Sequence, residues 1–249
     1  MSGERAALLK VSDLSVAYPG TGGGHVLEDV SFTVAEGERV ALLGANGAGK
    51  STLLLALLGI IEAHAGGIEI DGVLLEKKSL PLVRRKLGLL FQDPDDQLFM
   101  PTVYDDVVFG PRNQAENDGK AAEAGTEALI AEAADRMLAK LDILHLKDRM
   151  SHKLSGGEKR LAALASVLVT EPRMLLMDEP SAYLDPRARR RLFTLLGRLD
   201  EAFLVATHDL DLAQNLCGRC LLLHKGRLRA DGPAKDIIND RSLLDECAL

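Results

Sequence analysis

The glycine-rich segment GANGAGKS at residues 44–51 constrains this chain more than any other feature. It has the spacing G-x-x-x-x-G-K-S, follows the short apolar run 39–43 and opens a stretch of helical composition at 50–61. In such a turn the backbone curls so that successive N–H groups face a phosphate, and the helix N-terminus adds its partial positive charge. The segment therefore predicts a phosphate-binding loop between a buried strand and a helix.

The side chains of this loop have distinct expected roles. Lys50 would reach the β- and γ-phosphates of a nucleotide, and the Ser51 hydroxyl would ligate Mg²⁺. We expect nucleotide contacts from the loop and from the first helical turn after it. The residues concerned are Asn46, Gly47, Ala48, Gly49, Lys50, Ser51 and Thr52.

A pair of carboxylates ends a second apolar run, MLLMDE at residues 174–179. Open parallel sheets bind ligands at the carboxyl ends of their strands, where this pair would lie. Asp178 is expected to hold Mg²⁺ through water, and Glu179 to polarise the water that attacks the γ-phosphate. Acidic residues commonly end strands, so this interpretation depends on the phosphate loop being present as well.

A second anion cradle is predicted by LSGGE at residues 154–158, directly before a helical stretch. A serine and two glycines at a helix start present a hydroxyl and free N–H groups to an anion. Because the first loop already serves the phosphates, a second cradle indicates that the γ-phosphate is enclosed from the other side by a second copy of the protein. The residues expected there are Ser155, Gly156 and Gly157.

Strands and helices alternate along most of the chain, which is typical of a parallel sheet with covering helices. The character changes after residue 91, and residues 113–128, rich in Ala, Glu, Asn and Gly, are interpreted as a solvated link. The predicted strands are 8–18, 26–34, 39–43, 66–73, 87–91, 174–177 and 203–207, and the predicted helices are 50–61, 80–86, 129–141, 155–169, 187–199 and 210–216.

Composition argues against several classes of protein. The net charge of −7 and pI near 5.4 disfavour a surface that binds nucleic acid over most of the molecule, and the arginines within 187–191 are interpreted as a solvated helix face. Three cysteines indicate a reducing compartment, and Cys217, Cys220 and His224 fall short of the four ligands of a structural zinc site. No apolar run reaches the roughly 20 residues of a membrane-spanning helix, and no signal-peptide pattern is present, so we expect any membrane role to come through a partner.

The motifs together resemble those of the ATP-binding-cassette ATPases, in the family's order and over essentially the whole chain. Residues 44–51 correspond to Walker A, 154–158 to the signature, 174–179 to Walker B and 181–185 to the D-loop. The resemblance implies an α/β P-loop NTPase fold: a RecA-like parallel-sheet core, an N-terminal antiparallel β subdomain and an inserted α-helical subdomain. We expect a single domain over 1–249, with the core at about 1–91 and 171–249 and the helical subdomain at about 92–170.

The resemblance also assigns roles to four further residues. Gln92 occupies the place of the lone glutamine that serves Mg²⁺ binding and catalysis, and His208 that of the switch histidine. Asp185 ends the D-loop, and Tyr18 lies where the family stacks an aromatic ring on adenine. Taken alone, Gln92 could equally be a surface residue and His208 a strand-end histidine. Tyr18 could simply pack at a strand end, but stacking is favoured because exposed amphipathic aromatic side chains tend to have a partner.

Two residues depart from the commonest family pattern. Glu158 stands where a glutamine is frequent, and Tyr183 where a small residue is usual. Neither position is a phosphate ligand in the family, so hydrolysis should persist. The negative charge of Glu158 near the second cradle nevertheless bears on how tightly a dimer closes.

Residues 91–110, FQDPDDQLFMPTVYDDVVFG, resemble the ATPases of energy-coupling-factor importers, within the cobalt or nickel branch. In that group the segment faces the transmembrane coupling protein. An apolar centre with an acidic rim suits a helix that carries basic residues, whereas the alternative is an ordinary helical subdomain whose apolar residues point inward. The expected centre is Leu98, Phe99 and Met100, and the expected rim is Asp93, Asp95, Asp96, Asp105 and Asp106.

The expected function is ATP hydrolysis, with Mg²⁺, by a subunit that drives a membrane importer from the cytoplasmic side. Glu179, His208, Gln92 and Lys50 would carry the catalysis. The implied partners are a second ATPase subunit, as a homodimer, and integral membrane coupling and substrate-binding subunits, without nucleic acid. The cargo would be cobalt, nickel or another substrate such as a vitamin. The alternative is a soluble, non-transport cassette ATPase that acts as an assembly scaffold and would co-purify with soluble partners.

Overall fold

Two β-sheets and a set of helices make up the protein, in a computed structural model that describes residues 7–18 and 25–249. The strands are β1 Ala7–Ala17, β2 His25–Ala35, β3 Arg39–Leu43, β4 Ala65–Ile70, β5 Val73–Leu74, β6 Leu87–Leu90, β7 Met174–Asp178, β8 Ala202–Thr207, β9 Arg219–His224 and β10 Arg227–Pro233. The helices are α1 Lys50–Leu57, α2 Leu80–Lys86, α3 Val103–Asn117, α4 Thr126–Lys140, α5 Gly156–Leu168, α6 Pro186–Leu196, α7 Leu210–Leu216, α8 Ala234–Asn239 and α9 Arg241–Glu246.

The larger sheet has the strand order β10-β9-β3-β8-β7-β6, and only the edge strand β10 pairs in the antiparallel direction. Its central strands are almost entirely buried, which explains why they read as continuous apolar runs rather than as alternating ones. Because β3, β7 and β8 run in parallel, their carboxyl ends meet at one edge. The phosphate loop, the carboxylate pair and His208 all follow directly at that edge.

The smaller sheet, in the order β2-β1-β4-β5, is antiparallel throughout. It shares one hydrophobic cluster with α1 and one face of the parallel sheet, to which Val40 and Leu42 belong. The alternate residues Ala41 and Leu43 join a second cluster, which the helices α3 to α8 line on the opposite face. Because successive side chains of a strand point to opposite faces, β3 contributes to both hydrophobic clusters. The predicted α/β class with an antiparallel β subdomain is confirmed.

The interpretation of residues 113–128 as a solvated link is correct only for residues 118–125, which lie exposed between two helices. Helix α3 continues through Pro111 to Asn117, and α4 begins at Thr126. Gly110 packs closely against the turn that follows α5, where a Cβ would lie 2.8 Å from Thr170 Cγ2. An ion pair between Arg112 and Glu127 then joins α3 to α4. Tertiary packing overrides the helix-breaking tendency of the Gly-Pro pair.

Other differences are smaller. Helix α1 ends at Leu57 rather than at 61, and the stretch after Leu216, left unassigned from sequence, forms two strands and two helices. In the part of the chain that the structure describes, no helix is long and apolar enough to cross a membrane. The three cysteines are buried and free, and the described residues include no group of three or more His, Cys, Asp or Glu side chains that could hold a metal ion.

Candidate nucleotide-binding and hydrolysis site

A cavity of about 470 Å³ opens at the edge where the parallel strands end. Its wall brings together residues from four separate segments that the sequence had marked for phosphate, Mg²⁺ or water. Val26, Ala182 and Tyr183 also line it and were not predicted to do so. The predicted residues in the wall are Asn46, Gly47, Gly49, Lys50, Ser51, Thr52, Gln92, Asp178, Glu179 and His208.

The phosphate loop is folded tightly around the Lys50 ammonium. Gly49, with φ of 107°, turns the chain into α1 in a conformation that a side chain would strain. Lys50 Nζ donates to the carbonyls of Gly44 and Ala45 at 2.6 and 3.2 Å and lies 3.7 Å from the Glu179 carboxylate. Burial lowers the pKa of Lys50, while the Glu179 and Asp178 carboxylates oppose that shift. A polyanion bound in the cavity would stabilise the charged form of Lys50 and so raise its pKa again.

Oxygen donors of three kinds face the same cavity. The Asp178 carboxylate at the end of β7 accepts a hydrogen bond from Ser51, and the Gln92 amide lines the cavity beside them. Burial raises the pKa of Asp178, and the neighbouring Glu179 charge raises it further. Carboxylate, hydroxyl and amide oxygens are the donors that Mg²⁺ prefers, and a bound cation would reverse this rise. The donor set therefore fits the expected Mg²⁺.

Glu179 is held in one orientation by the end of the neighbouring strand. Its N–H donates to Ala206, and its carboxylate accepts from the Thr207 hydroxyl at 2.9 Å and from the His208 N–H at 3.1 Å. His208 Nδ1 lies 2.8 Å from the same carboxylate. These contacts fix a buried carboxylate at the cavity wall, where it can accept a hydrogen bond from a water molecule without further side-chain movement.

The Gln92 loop is anchored by a residue that sequence reasoning missed. Arg160, on α5 and only 1% exposed, donates through its two terminal nitrogens to the carbonyls of Phe91 and Gln92. The same segment is tied to α5 by Gln97, which donates to the carbonyl of Ala163 and to Ser166. The one available signal was a basic residue inside the otherwise apolar run of this helix, since a buried arginine needs partners.

The second cradle lies outside the first cavity of the same chain. Ser155 caps α5, as predicted, and both its N–H and its hydroxyl donate to the Glu158 carboxylate in a capping box. These hydrogen bonds lower the pKa of Glu158. Ser155, Gly157 and Asp185 line a separate cavity of about 440 Å³. Gly156 lines an adjacent depression, and a Cβ added to it would meet nothing within 4 Å.

Two predicted nucleotide contacts lie away from the cavity wall. The Tyr18 hydroxyl is 3.3 Å from Thr52 Oγ1, and the ring is partly exposed at the end of β1. Ala48 is buried beneath the loop, where its carbonyl accepts from the Gly226 N–H. Adenine stacking on Tyr18 and contact with Ala48 remain predictions.

The segment predicted to dock on a membrane subunit differs from the expectation in two places. Leu98 is buried, so the exposed centre consists mainly of Phe99, which is 64% exposed and packs edge-to-face on Phe109 with ring centroids 4.9 Å apart. Asp106 is buried rather than part of an acidic rim. Its carboxylate accepts from the N–H groups of Phe99 and Met100, because the turn before α3 needs an internal acceptor.

The chain is similar to known proteins over nearly its whole length. Residues 27–182 match the profile of the family described as ABC transporter. A relative from Carboxydothermus hydrogenoformans, the energy-coupling factor transporter ATP-binding protein EcfA, is 40% identical over 97% of this chain and 86% of its own length. A relative from Rhodobacter capsulatus, the cobalt import ATP-binding protein CbiO, is 42% identical over 97% of this chain and 84% of its own length.

A solved structure agrees with these relatives. The protein cbiO1 of Clostridium perfringens, described as part of the ABC transporter complex cbiONQ, superposes with a TM-score of 0.81 and is 34% identical. The match covers 96% of this chain and 94% of that one. The sequence motifs, the site geometry and the similarity to these relatives over nearly the whole chain agree. The chain belongs to the ABC transporter family, as an ATPase subunit of the energy-coupling-factor type.

Proposed function

We propose that this protein hydrolyses ATP·Mg²⁺ between two identical copies and thereby energises a membrane importer for cobalt, nickel or another energy-coupling-factor substrate. The observation that carries the proposal is the division of the site. The cavity with Lys50 and Glu179 and the cradle with Ser155 occupy different cavities of one chain. Each copy therefore offers half of two equivalent sites, which a two-fold dimer completes.

In this assembly the chain's own residues mainly bind and orient. The backbone of residues 44–49 and the Lys50 ammonium hold the β- and γ-phosphates, and Ser155 with Gly157 of the other copy closes over the γ-phosphate. Glu179, fixed by Thr207 and His208, orients the attacking water. Mg²⁺ held by Ser51, Asp178 and Gln92 would neutralise charge on the phosphate oxygens. Catalysis is then chiefly positioning and electrostatic stabilisation.

The variant Glu179→Gln tests this proposal. The amide keeps the size and the hydrogen bond from Thr207 but cannot act as a base, so ATP should bind normally while turnover falls at least about a hundredfold. The variant should accumulate as an ATP-bound dimer, measured by sedimentation velocity with and without ATP. Adding Ser155→Ala should weaken that dimer. Full turnover in Glu179→Gln, or ATP-bound monomer only, would contradict the proposal.

The importer partner is proposed from the exposed Phe99–Phe109 pair and from the relatives' names. An exposed aromatic pair on the helical subdomain offers a small apolar centre for a helix of the membrane coupling subunit. Asp96, on the exposed turn before it, supplies a negative charge. The protein would then sit peripherally on the cytoplasmic face of the membrane.

Co-expression of this protein with membrane coupling subunits whose genes lie next to its own tests this docking surface. Phe99→Ser should reduce recovery of the complex severalfold, whereas Leu129→Ser, similarly exposed but on α4 and not part of the pair, should leave recovery unchanged. Equal recovery of the complex with both variants would contradict the docking assignment. Capture of soluble proteins alone would favour the scaffold alternative. Uptake of labelled cobalt or nickel by the reconstituted complex, against a vitamin, would identify the cargo.

A further inference from the structure

Two exposed histidines meet at the end of the antiparallel sheet. His25 begins β2 and pairs with Ala17, and His64, directly before β4, donates its N–H to the Ser15 carbonyl at 2.8 Å. Because β1 lies between β2 and β4, the two histidines approach each other from opposite sides of its last residues. Their ring centroids are 5.8 Å apart. Strand pairing thus fixes the two backbones from which the imidazole rings converge.

The hydrophobic core does not account for this pair. Both side chains are exposed, whereas a histidine that packs in a core is buried. Within residues 7–18 and 25–249, neither ring takes part in a hydrogen bond or an ion pair, and the two ring planes are tilted by 42° rather than stacked. A neutral imidazole carries one nitrogen with a free lone pair. The pair therefore offers two unused nitrogen donors at the surface.

The separation of the two rings suits a metal ion between them. With nitrogen–metal distances of about 2.0–2.1 Å and tetrahedral or octahedral angles, two imidazoles on one ion have centroids about 4.5–5.5 Å apart. A closing movement of about 1 Å, within reach of rotation about exposed side-chain bonds, brings the observed pair into that range. Water would complete the coordination shell, since the described residues form no group of three or more His, Cys, Asp or Glu ligands.

The donor type selects the class of ion. Imidazole nitrogen suits the divalent ions of cobalt, nickel, copper and zinc, whereas Mg²⁺ prefers oxygen. The pair therefore differs in chemistry from the oxygen donors at Ser51, Asp178 and Gln92. Cys217 and Cys220 do not compete for such an ion, because both are buried and burial raises the pKa of both thiols. Excess Mg²⁺ can accordingly fill the oxygen site while leaving the histidines free.

We propose that His25 and His64 together bind one divalent transition-metal ion, of the class of Co²⁺, Ni²⁺ and Zn²⁺, with water in the remaining positions. A bound ion would join the start of β2 to the start of β4 across β1. The site lies beside the nucleotide cavity, of which the neighbouring Val26 forms part of the wall. It depends on two side chains of one chain, so it stands independently of the proposed ATP-driven dimer.

Isothermal titration of the untagged, nucleotide-free protein with NiCl₂ tests the site, in a buffer with excess Mg²⁺ to fill the oxygen donors. Wild type should bind one Ni²⁺ per chain. His25→Ala and His64→Ala should each weaken binding at least about tenfold, because each removes one of two protein ligands. His145→Ala, exposed on the helical subdomain, is the matched control and should bind as wild type does. Electron paramagnetic resonance of the Cu²⁺-loaded protein should show two nitrogen ligands in wild type and one in either variant.

The results of these titrations separate a metal site from a surface contact between two rings. Absence of Ni²⁺ binding, or equal binding by wild type and both variants, would overturn the proposal. Equal weakening in His145→Ala would place the ion elsewhere and overturn it too. In thermal denaturation, NiCl₂ should raise the midpoint of wild type but not of the double variant His25→Ala/His64→Ala, and equal rises would contradict the site. None of these results bears on ATP hydrolysis between two copies, so failure of the metal site leaves the proposed function standing.

Discussion

At the scale of single residues, Glu158 acts directly on the second cradle. Its carboxylate accepts both the N–H and the hydroxyl of Ser155, the groups that the proposed function directs at a γ-phosphate. The carboxylate therefore competes with the phosphate for the same donors and repels it. A glutamine at this position would keep an acceptor for the helix cap and remove the charge.

Glu158→Gln should tighten the ATP-dependent dimer of the Glu179→Gln protein about threefold, since a partly exposed charge contributes modestly. The measurement is the ATP concentration that gives half-maximal dimer. Glu132→Gln, which removes an exposed charge on α4, is the control and should have no effect. Equal shifts in both variants would mean that net charge, rather than the cradle, is responsible.

Asp106 shows how burial and hydrogen bonding compete at one carboxylate. Three donors, the N–H groups of Phe99 and Met100 and the Ser151 hydroxyl, stabilise the charged form. Burial opposes them and is the larger effect, so the pKa of Asp106 is raised. A folded-state pKa above the unfolded one means that the native state binds more protons, and the contribution of Asp106 to stability grows as the pH falls through that raised pKa.

The comparison of wild type with Asp106→Asn tests this direction. The amide can keep the acceptor for the two N–H groups but does not titrate. The free energy of unfolding of wild type relative to the variant should therefore rise as the pH is lowered from 8 to 5 (roughly the interval above the ordinary carboxyl pKa). Urea denaturation at several pH values measures it. A fall over the same interval would show that the hydrogen bonds outweigh burial.

At the scale of elements, helix α5 joins two parts of the mechanism that belong to different sites. Its first residues form the second cradle, and Arg160 one turn later holds the loop of Gln92. Gln92 faces the chain's own cavity and Ser155 lines the second one, so a shift of α5 would move both. In the proposed dimer, where Ser155 serves the partner's nucleotide, this helix would couple one nucleotide site to the other.

Arg160→Met should remove this support while preserving the bulk of the side chain. Loss of the buried donors leaves two carbonyls unsatisfied and should cost about 1–3 kcal/mol of stability. Misplacement of Gln92 should lower kcat by about tenfold to a hundredfold with a smaller change in KM, measured by steady-state ATPase assays. Lys159→Met, which breaks only the exposed pair with Asp95, is the control. An unchanged kcat in a folded Arg160→Met protein would show that Arg160 does not position Gln92 for hydrolysis.

At this scale much of the secondary structure was predictable from the sequence, and the errors fall where tertiary contacts decide. The buried strands β3, β7 and β8 and the caps of α5 and α6 follow from local sequence, because apolar runs and capping residues act within a few residues. The continuation of α3 past Pro111 depends on contacts with distant segments, which no pattern within the helix records. Asp106 turns inward because of the local turn and the distant Ser151, and the one signal for Arg160 was its place in an apolar helix run.

At the scale of the whole molecule, the parallel sheet separates a hydrophobic cluster shared with the antiparallel sheet from another shared with the helices. The nucleotide cavity lies at the edge of that sheet, whereas the second cradle belongs to the helical side. The residues of both halves were predictable from motifs. Their placement in separate cavities follows from the tertiary arrangement, and under the proposed function it leaves a single copy incomplete.

The open surroundings of the second cradle predict that alanine substitutions at two adjacent glycines change the stability of the monomer in opposite directions. A Cβ on Gly156 would meet nothing within 4 Å in its own chain, whereas one on Gly157 would lie 2.9 Å from Ala188 Cβ. Gly156→Ala should therefore leave the monomer as stable as wild type or raise its free energy of unfolding by about 0.5 kcal/mol, because alanine favours the helix start more than glycine does. Gly157→Ala should lower it, since the neighbouring α6 must move.

In the assembled site the two variants should converge. A methyl group on Gly156 would enter the open space that the partner's nucleotide needs, and one on Gly157 would displace the helix start against α6. ATP-dependent dimerisation and hydrolysis should therefore be lost in both. Chemical denaturation of the nucleotide-free monomer and sedimentation with ATP measure the two effects separately. A Gly156→Ala protein that hydrolyses ATP at the wild-type rate would show that no second copy closes over this helix start, and the site would then have to be complete within one chain.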